Sequence, residues 1–159
     1  MKKTLIIEIL SFTVIGLIGF LIFDLIQTDS SGLFSGAFRL PSGFPTRNGL
    51  MLIWSFLLLL ATISTVFILT NKISINRKKN ALIILLMLLG SIYGWNFLLF
   101  TTQGNLSGAL AMNIGEIALA GLTMLMFWLI NHQAGYLLFP TFVWALFSLY
   151  LSISLVVLN

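Results

Sequence analysis

Five apolar stretches, each about as long as a lipid bilayer is thick, take up most of this 159-residue chain, and the breaks between them hold nearly every charge. A hydrocarbon core of roughly 30 Å is crossed by about 20 helical residues rising about 1.5 Å apiece, so the chain has room for about five crossings and little else. No soluble domain fits. The stretches run from Thr4 to Gln27, Gly49 to Thr70, Ala81 to Thr101, Ala109 to Asn131 and Leu137 to Leu158. The expectation is a single all-α domain over 1–159, a bundle of five transmembrane helices with a long loop at 28–48.

Lys2 and Lys3 precede the first apolar run as they would in a signal peptide, but the run continues to Gln27 without a convincing small-residue cleavage site. It reads as a retained first helix. The chain has no cysteine, which removes disulfides and thiol chemistry from consideration. A net charge of +4 would point to nucleic acid in a soluble protein. Here the surplus follows membrane topology instead, and nucleic acid is not an expected partner. Lys2, Lys3, Lys72, Arg77, Lys78 and Lys79 share one face of the five-span arrangement, against Arg39 and Arg47 on the other. The positive-inside rule then puts the N-terminus in the cytoplasm of a bacterial or archaeal cell and Asn159 outside. The Arg77-Lys78-Lys79 cluster reads as an orientation signal in contact with lipid headgroups rather than a binding site.

The break from Thr28 to Asn48 is far longer than the others and carries Leu33, Phe34, Phe38, Leu40 and Phe44 among glycines, serines, Pro41 and Pro45. So much apolar content argues against a solvated linker. Two placements remain: a lid folded over the outer end of the bundle, or a loop in the headgroup layer with its phenylalanines dipped into lipid. Association of helices in lipid relies on small residues that let backbones approach. Gly90 and Gly94 form a Gly-x-x-x-Gly pair in the third span, with similar stripes at Gly16/Gly19, Ala61/Thr65 and Ala111/Gly115. Their partner is either a neighbour in the bundle or a second subunit, and a homodimer through Gly90 and Gly94 is one expectation. No internal repeat of the inverted-transporter kind is evident.

Glu116 is the one acidic residue set well inside a span, roughly 10 Å below the outer start of the fourth helix. An intramembrane carboxylate is costly unless it faces protein or water, so it is either functional or a structural group hydrogen-bonded to a neighbouring helix. Asp24 and Glu8 lie nearer helix ends and read as structural. His132 falls in the turn Asn131-His132-Gln133-Ala134-Gly135 with no convergent ligands nearby, so no metal site is expected. Nucleotide-binding and hydrolase signatures are missing, and no catalytic side chain is assigned.

The remaining chemistry is aromatic. Trp144, Phe147, Ser148, Leu151 and Ser152 fall on one face of the fifth span, which combines rings with hydroxyls and should point into the bundle. Counting along antiparallel helices brings Trp54, Trp95, Asn96, Asn113, Glu116 and Ser152 to similar depths in the outer half. Tryptophans at helix ends usually belong to an interfacial belt. Their coincidence with amides, hydroxyls and a carboxylate beneath an apolar loop favours a pocket for a large flat ligand.

At these residues the chain resembles the TspO/MBR family, the tryptophan-rich sensory proteins related to the mitochondrial translocator protein. Pro140-Thr-Phe-Val-Trp144-Ala-Leu-Phe147-Ser-Leu-Tyr-Leu151-Ser152 is similar to that family's Pro-Tyr-x-x-Trp-x-x-Phe-Ala-x-x-Leu-Asn, and Leu158-Asn159 matches its usual close. Pro41-Ser42, Pro45 and Trp54 similarly follow its Pro-Ser-Trp-x-Pro-Pro run and the tryptophan beyond. The departures are Gly43 for tryptophan, Thr46 for the second proline, Phe34-Ser35 for Trp-Tyr, Ile92 for asparagine, and Ser148 and Ser152 for alanine and asparagine. They mark a divergent member.

The resemblance implies a five-helix bundle, often dimeric, whose outer-facing cavity binds porphyrins and benzodiazepine-type compounds. Carried over by position, Trp54 and Trp144 would flank the ligand, with Trp95, Phe147 and Ser148 lining the cavity; Asn96 and Glu116 join the set by depth. No cofactor is obligatory, and a bound porphyrin or haem is the expected ligand. The loose sterol pattern fails after Tyr150, where no basic residue follows. Three functions remain in view: a tetrapyrrole receptor or sensor, a protein that degrades bound porphyrin under light, and a small transporter or structural membrane protein using Glu116.

Overall fold

A computed structural model of the chain describes residues 38–100 and 105–159. The first apolar stretch, with Glu8 and Asp24, and the loop up to residue 37 lie outside the described residues. Four helices follow: α1 (Arg47–Thr70), α2 (Ile75–Phe100), α3 (Leu106–Ile130) and α4 (His132–Leu158). All four are long and apolar enough to cross a membrane.

The helices begin earlier than the apolar runs, and each start has a local cause. Thr46, extended and preceded by Pro45, caps α1 by accepting a hydrogen bond from Gly49 N at 3.2 Å. α2 starts at Ile75 rather than Ala81, so the Arg77-Lys78-Lys79 cluster lies in its first turns instead of in a break. Charged side chains suit a helix that projects beyond lipid, and Lys78 Nζ uses the position to donate to Leu69 O at 2.7 Å. A cation thereby meets the negative end of α1. Between α3 and α4 the chain spends a single residue. Asn131 terminates α3 and caps α4, its side chain accepting from Ala134 N at 3.2 Å. The five-residue turn expected there is absent, and His132 opens the first turn of α4 with its ring edge-on to Trp128, 5.1 Å away. So close a junction needs glycine at 135, where a Cβ would lie 2.8 Å from Trp128 Cα.

The most extensive packing joins α3 to α4, then α2 to α3, then α1 to α4; α1 meets α2 and α3 only lightly. Each helix buries one stripe at alternating steps of three and four residues: Leu50, Trp54, Leu57, Ala61, Ser64 and Ile68 on α1, and Ala109, Asn113, Glu116, Ala120, Thr123 and Phe127 on α3. The outward faces are equally apolar. Leu52 is 72% exposed, Leu129 69% and Val157 78%, which is tolerable only against lipid. Core hydroxyls satisfy themselves on carbonyls: Thr65 on Ala61 O and Thr123 on Leu119 O within their own helices, and Ser64 on Ala134 O across α1 and α4 at 2.7 Å.

The Gly90/Gly94 pair divides. A Cβ at Gly94 would run into Met112 Cε, so this glycine serves the α2–α3 contact inside the bundle. Gly90 and Gly115 have open space where a Cβ would stand.

The end of the bundle holding Arg47 also holds the described part of the long loop. Phe44 N donates to Pro41 O at 3.1 Å, closing a turn in which Gly43 has φ +82°, left-handed backbone that a tryptophan would adopt only with strain. The departure at Gly43 therefore has a backbone cause. Pro41 is buried, and Phe38 and Phe44 pack on the core. Asn159 ties the loop to the end of α4: its Oδ1 accepts from Arg39 N at 2.8 Å and its Nδ2 donates to Arg39 O at 3.1 Å.

Candidate ligand-binding site

Trp54 and Trp144 project from the buried stripes of α1 and α4 and meet edge to face, ring centroids 6.0 Å apart at 82°. The row of rings continues through Phe147, 5.5 Å from Trp144, to Tyr150 at 6.0 Å. Phe147 sits at the border of the buried stripe, 36% exposed, so the fifth-span face does not point wholly inward as expected. Ser148 is buried, but its hydroxyl donates to Trp144 O within its own helix at 3.2 Å.

The depth assignment needs correction. Trp95 Nε1 donates to Ser152 Oγ at 3.0 Å, which fixes the heights of α2 and α4 relative to one another. Ser152 stands eight residues from Trp144 on α4, about 12 Å along the axis. Trp95 and Ser152 are therefore near the loop end, whereas Trp54 and Trp144 meet near the middle of α4. Counting residues from span ends misjudged this because the helices overrun the apolar stretches by different amounts. Asn113 and Glu116 form a pair of their own, Nδ2 donating to Oε2 at 3.1 Å, and Asn96 Nδ2 donates to Ile92 O at 2.8 Å.

Next to Trp54 lies a cavity of about 290 Å³, counting its open mouth. Leu57, Leu58 and Ala61 of α1, Leu85, Leu88, Leu89 and Ile92 of α2, and Leu138 and Thr141 of α4 complete its wall. Of the seven candidate residues, Trp54 alone lines this space. Trp144 borders it through the indole contact, while Trp95 and Asn96 stand apart nearer the loop end, and Glu116 lies on α3, which contributes no residue to the wall. Most of that volume is the open mouth, and the enclosed space takes about one water molecule, far below the roughly 300–1,000 Å³ of small-molecule sites.

Two buried polar atoms at this level lack hydrogen-bond partners among the described residues: Trp144 Nε1 and Thr141 Oγ. An unpaired buried N–H costs about 1–3 kcal/mol, so an acceptor brought by a ligand would be well received. Thr141 was not singled out by sequence reasoning. Its signal was Pro140, whose missing N–H interrupts the hydrogen-bond ladder of α4 just before it. Among the described residues, no three His, Cys, Asp or Glu side chains come together as a metal site.

Comparison with known families agrees with this architecture. No curated protein matches the chain. The model of the TspO/MBR family matches residues 10–158, nearly the whole length, and this membrane protein therefore belongs to the TspO/MBR family.

Proposed function

We propose that this protein is a membrane receptor or sensor for a tetrapyrrole such as protoporphyrin or haem, bound beside the Trp54–Trp144 pair. The observation that carries the reading is that pair: two buried indoles in contact at 6.0 Å, bordering an aliphatic cavity, with the Trp144 N–H unpartnered among the described residues. Flat apolar rings stack on indoles, and a donor at the edge orients them. Ligand carboxylates would meet the guanidinium groups of Arg39 and Arg47 at the loop end. The described part of the loop, tied to the end of α4 through Arg39 and Asn159, covers this end of the bundle as part of a lid. The enclosed space beside Trp54 is far smaller than a macrocycle. Binding therefore requires Trp54 and Trp144 to part, and among the described residues α1, which packs lightly on α2 and α3, is the helix whose shift would separate them.

The protein sits in a bacterial or archaeal cell membrane with its loop end outside, following the basic residues gathered at the other end. In a homodimer, Gly90 offers an open small-residue surface, whereas Gly94 is already engaged with Met112. The contact between two redox-capable indoles also favours a second reading, light-dependent breakdown of bound porphyrin. Incubating purified protein with protoporphyrin in darkness and under illumination separates the two. A receptor shifts the Soret band and quenches tryptophan emission equally in both conditions. A degrading protein loses the Soret band under light alone, beyond the bleaching of a Trp54/Trp144 double variant. An unchanged spectrum and emission in both conditions would refute tetrapyrrole binding.

A further inference from the structure

The start of α2 holds charge of the wrong sign for its position. Arg77, Lys78 and Lys79 lie in its first two turns and Lys72 just ahead of it. A helix N-terminus is already positive through its unpaired N–H groups, so cations gathered there are unfavourable to it and to one another until an anion arrives. Lys78 is engaged, its Nζ donating to Leu69 O at 2.7 Å. Lys72, Arg77 and Lys79 are exposed. The described residues hold one carboxylate side chain, that of Glu116, and it is buried in the bundle.

The register of α2 on α3 sets the depth of these cations. Asn105 N donates to Leu98 O at 3.2 Å and Ser91 Oγ to Met112 O at 3.5 Å, so seven residues back along α2 match seven forward along α3. Carried on at that rate, Ile75 is level with Trp128, and Arg77 and Lys79 lie about 3 and 6 Å deeper. The bond from Asn71 Nδ2 to Ile130 O at 3.0 Å, just beyond that level, agrees. Glu116 comes level with Met87, about 12 Å below Lys79 and out of its reach. Trp128, packed on His132 and Tyr136, marks the membrane interface. The cations therefore do not stand out in bulk water. Their stems start below the tryptophan and run outward, which delivers the charges to the layer of lipid phosphates.

Below Lys79 the same face of α2 continues through Ile83 and Leu86, at offsets of four and seven residues, 43% and 51% exposed. A charged head above an apolar track is the outline of a phospholipid. A zwitterionic headgroup brings its own ammonium to the same place, whereas a net negative one brings the charge that the helix start lacks. We infer that Lys72, Arg77 and Lys79 form a binding site for an anionic phospholipid, its phosphate held by the Arg77 guanidinium and its acyl chain laid along Ile83 and Leu86. The cluster then selects headgroup charge in addition to signalling orientation. It makes no use of the indole pair and is independent of the tetrapyrrole reading.

The test is thermal unfolding of the full chain in dodecyl maltoside micelles doped with phosphatidylglycerol or with phosphatidylcholine of the same acyl chains. A lipid bound only by the folded state raises Tm by mass action. Phosphatidylglycerol is expected to raise Tm saturably, and phosphatidylcholine to leave it near the lipid-free value. Arg77→Gln and Lys79→Gln each move the midpoint of the rise to roughly fivefold higher lipid, and the double variant moves it further, whereas Arg77→Lys keeps most of the response. Added salt weakens the rise in wild type, a reading that needs no variant to fold. Soluble glycerol 3-phosphate, which lacks the chains, is expected to leave Tm unchanged; a rise equal to that from phosphatidylglycerol would make this a site for free phosphate and overturn the lipid assignment. Equal rises from the two lipids, a rise indifferent to salt, or one unaltered in the double variant likewise overturns the inference.

Discussion

Trp144 carries two separable functions in one side chain: a ring that packs on Trp54 and Phe147, and an N–H that meets no partner among the described residues. If both indoles flank a tetrapyrrole, Trp54→Ala and Trp144→Ala each weaken binding by about 1–3 kcal/mol, roughly five- to a hundredfold, in fluorescence-quenching titrations. Trp144→Phe keeps a ring while deleting the donor, and is expected to lose about 0.5–1.5 kcal/mol of the same affinity. Trp128 provides the control. Its ring packs on His132 and Tyr136 at the basic end, 4.4 Å from the latter, so Trp128→Ala should leave affinity nearly unchanged. Equal losses at all three tryptophans would mean general destabilisation and would remove the pocket assignment.

Single helices are held here by contacts that small residues permit. Gly94→Leu drives a branched side chain into Met112 inside the α2–α3 contact. The expected result is a lower Tm and loss of the folded monomer, not a clean passage from dimer to monomer on size exclusion. Gly90→Leu meets open space and should leave Tm close to wild type, so a change in its elution alone would locate a subunit contact. The four described helices were legible from apolar length, because the bilayer demands it. Their starts were not, since caps such as Thr46 and Asn131 and the basic turn at Arg77 depend on local hydrogen bonding that hydropathy does not register. The candidate site was legible to the level of residue type. Trp54 and Trp144 were paired on resemblance, and the structure puts them in contact. The placing of Trp95, Asn96 and Ser152 at the depth of Trp54 failed, because residue counts from span ends carry no information about how far each helix overruns its apolar run. Thr141 escaped notice because one hydroxyl in an apolar helix ordinarily bonds its own backbone.

At the scale of the whole bundle, every described basic residue lies at an end, and the separation of Lys72, Arg77, Lys78 and Lys79 from Arg39 and Arg47 should decide which end faces the cytoplasm. A reporter fused at Asn159 is expected on the outer side, and moving the basic residues from the 72–79 segment to the loop end should scramble that result. A uniformly cytoplasmic reporter would reverse the orientation. The single-residue junction at Asn131 bears on biogenesis. With no hydrophilic stretch between them, α3 and α4 leave the insertion machinery little to retain or translocate on its own. They must enter lipid together as one hairpin, its sidedness inherited from the charged start of α2.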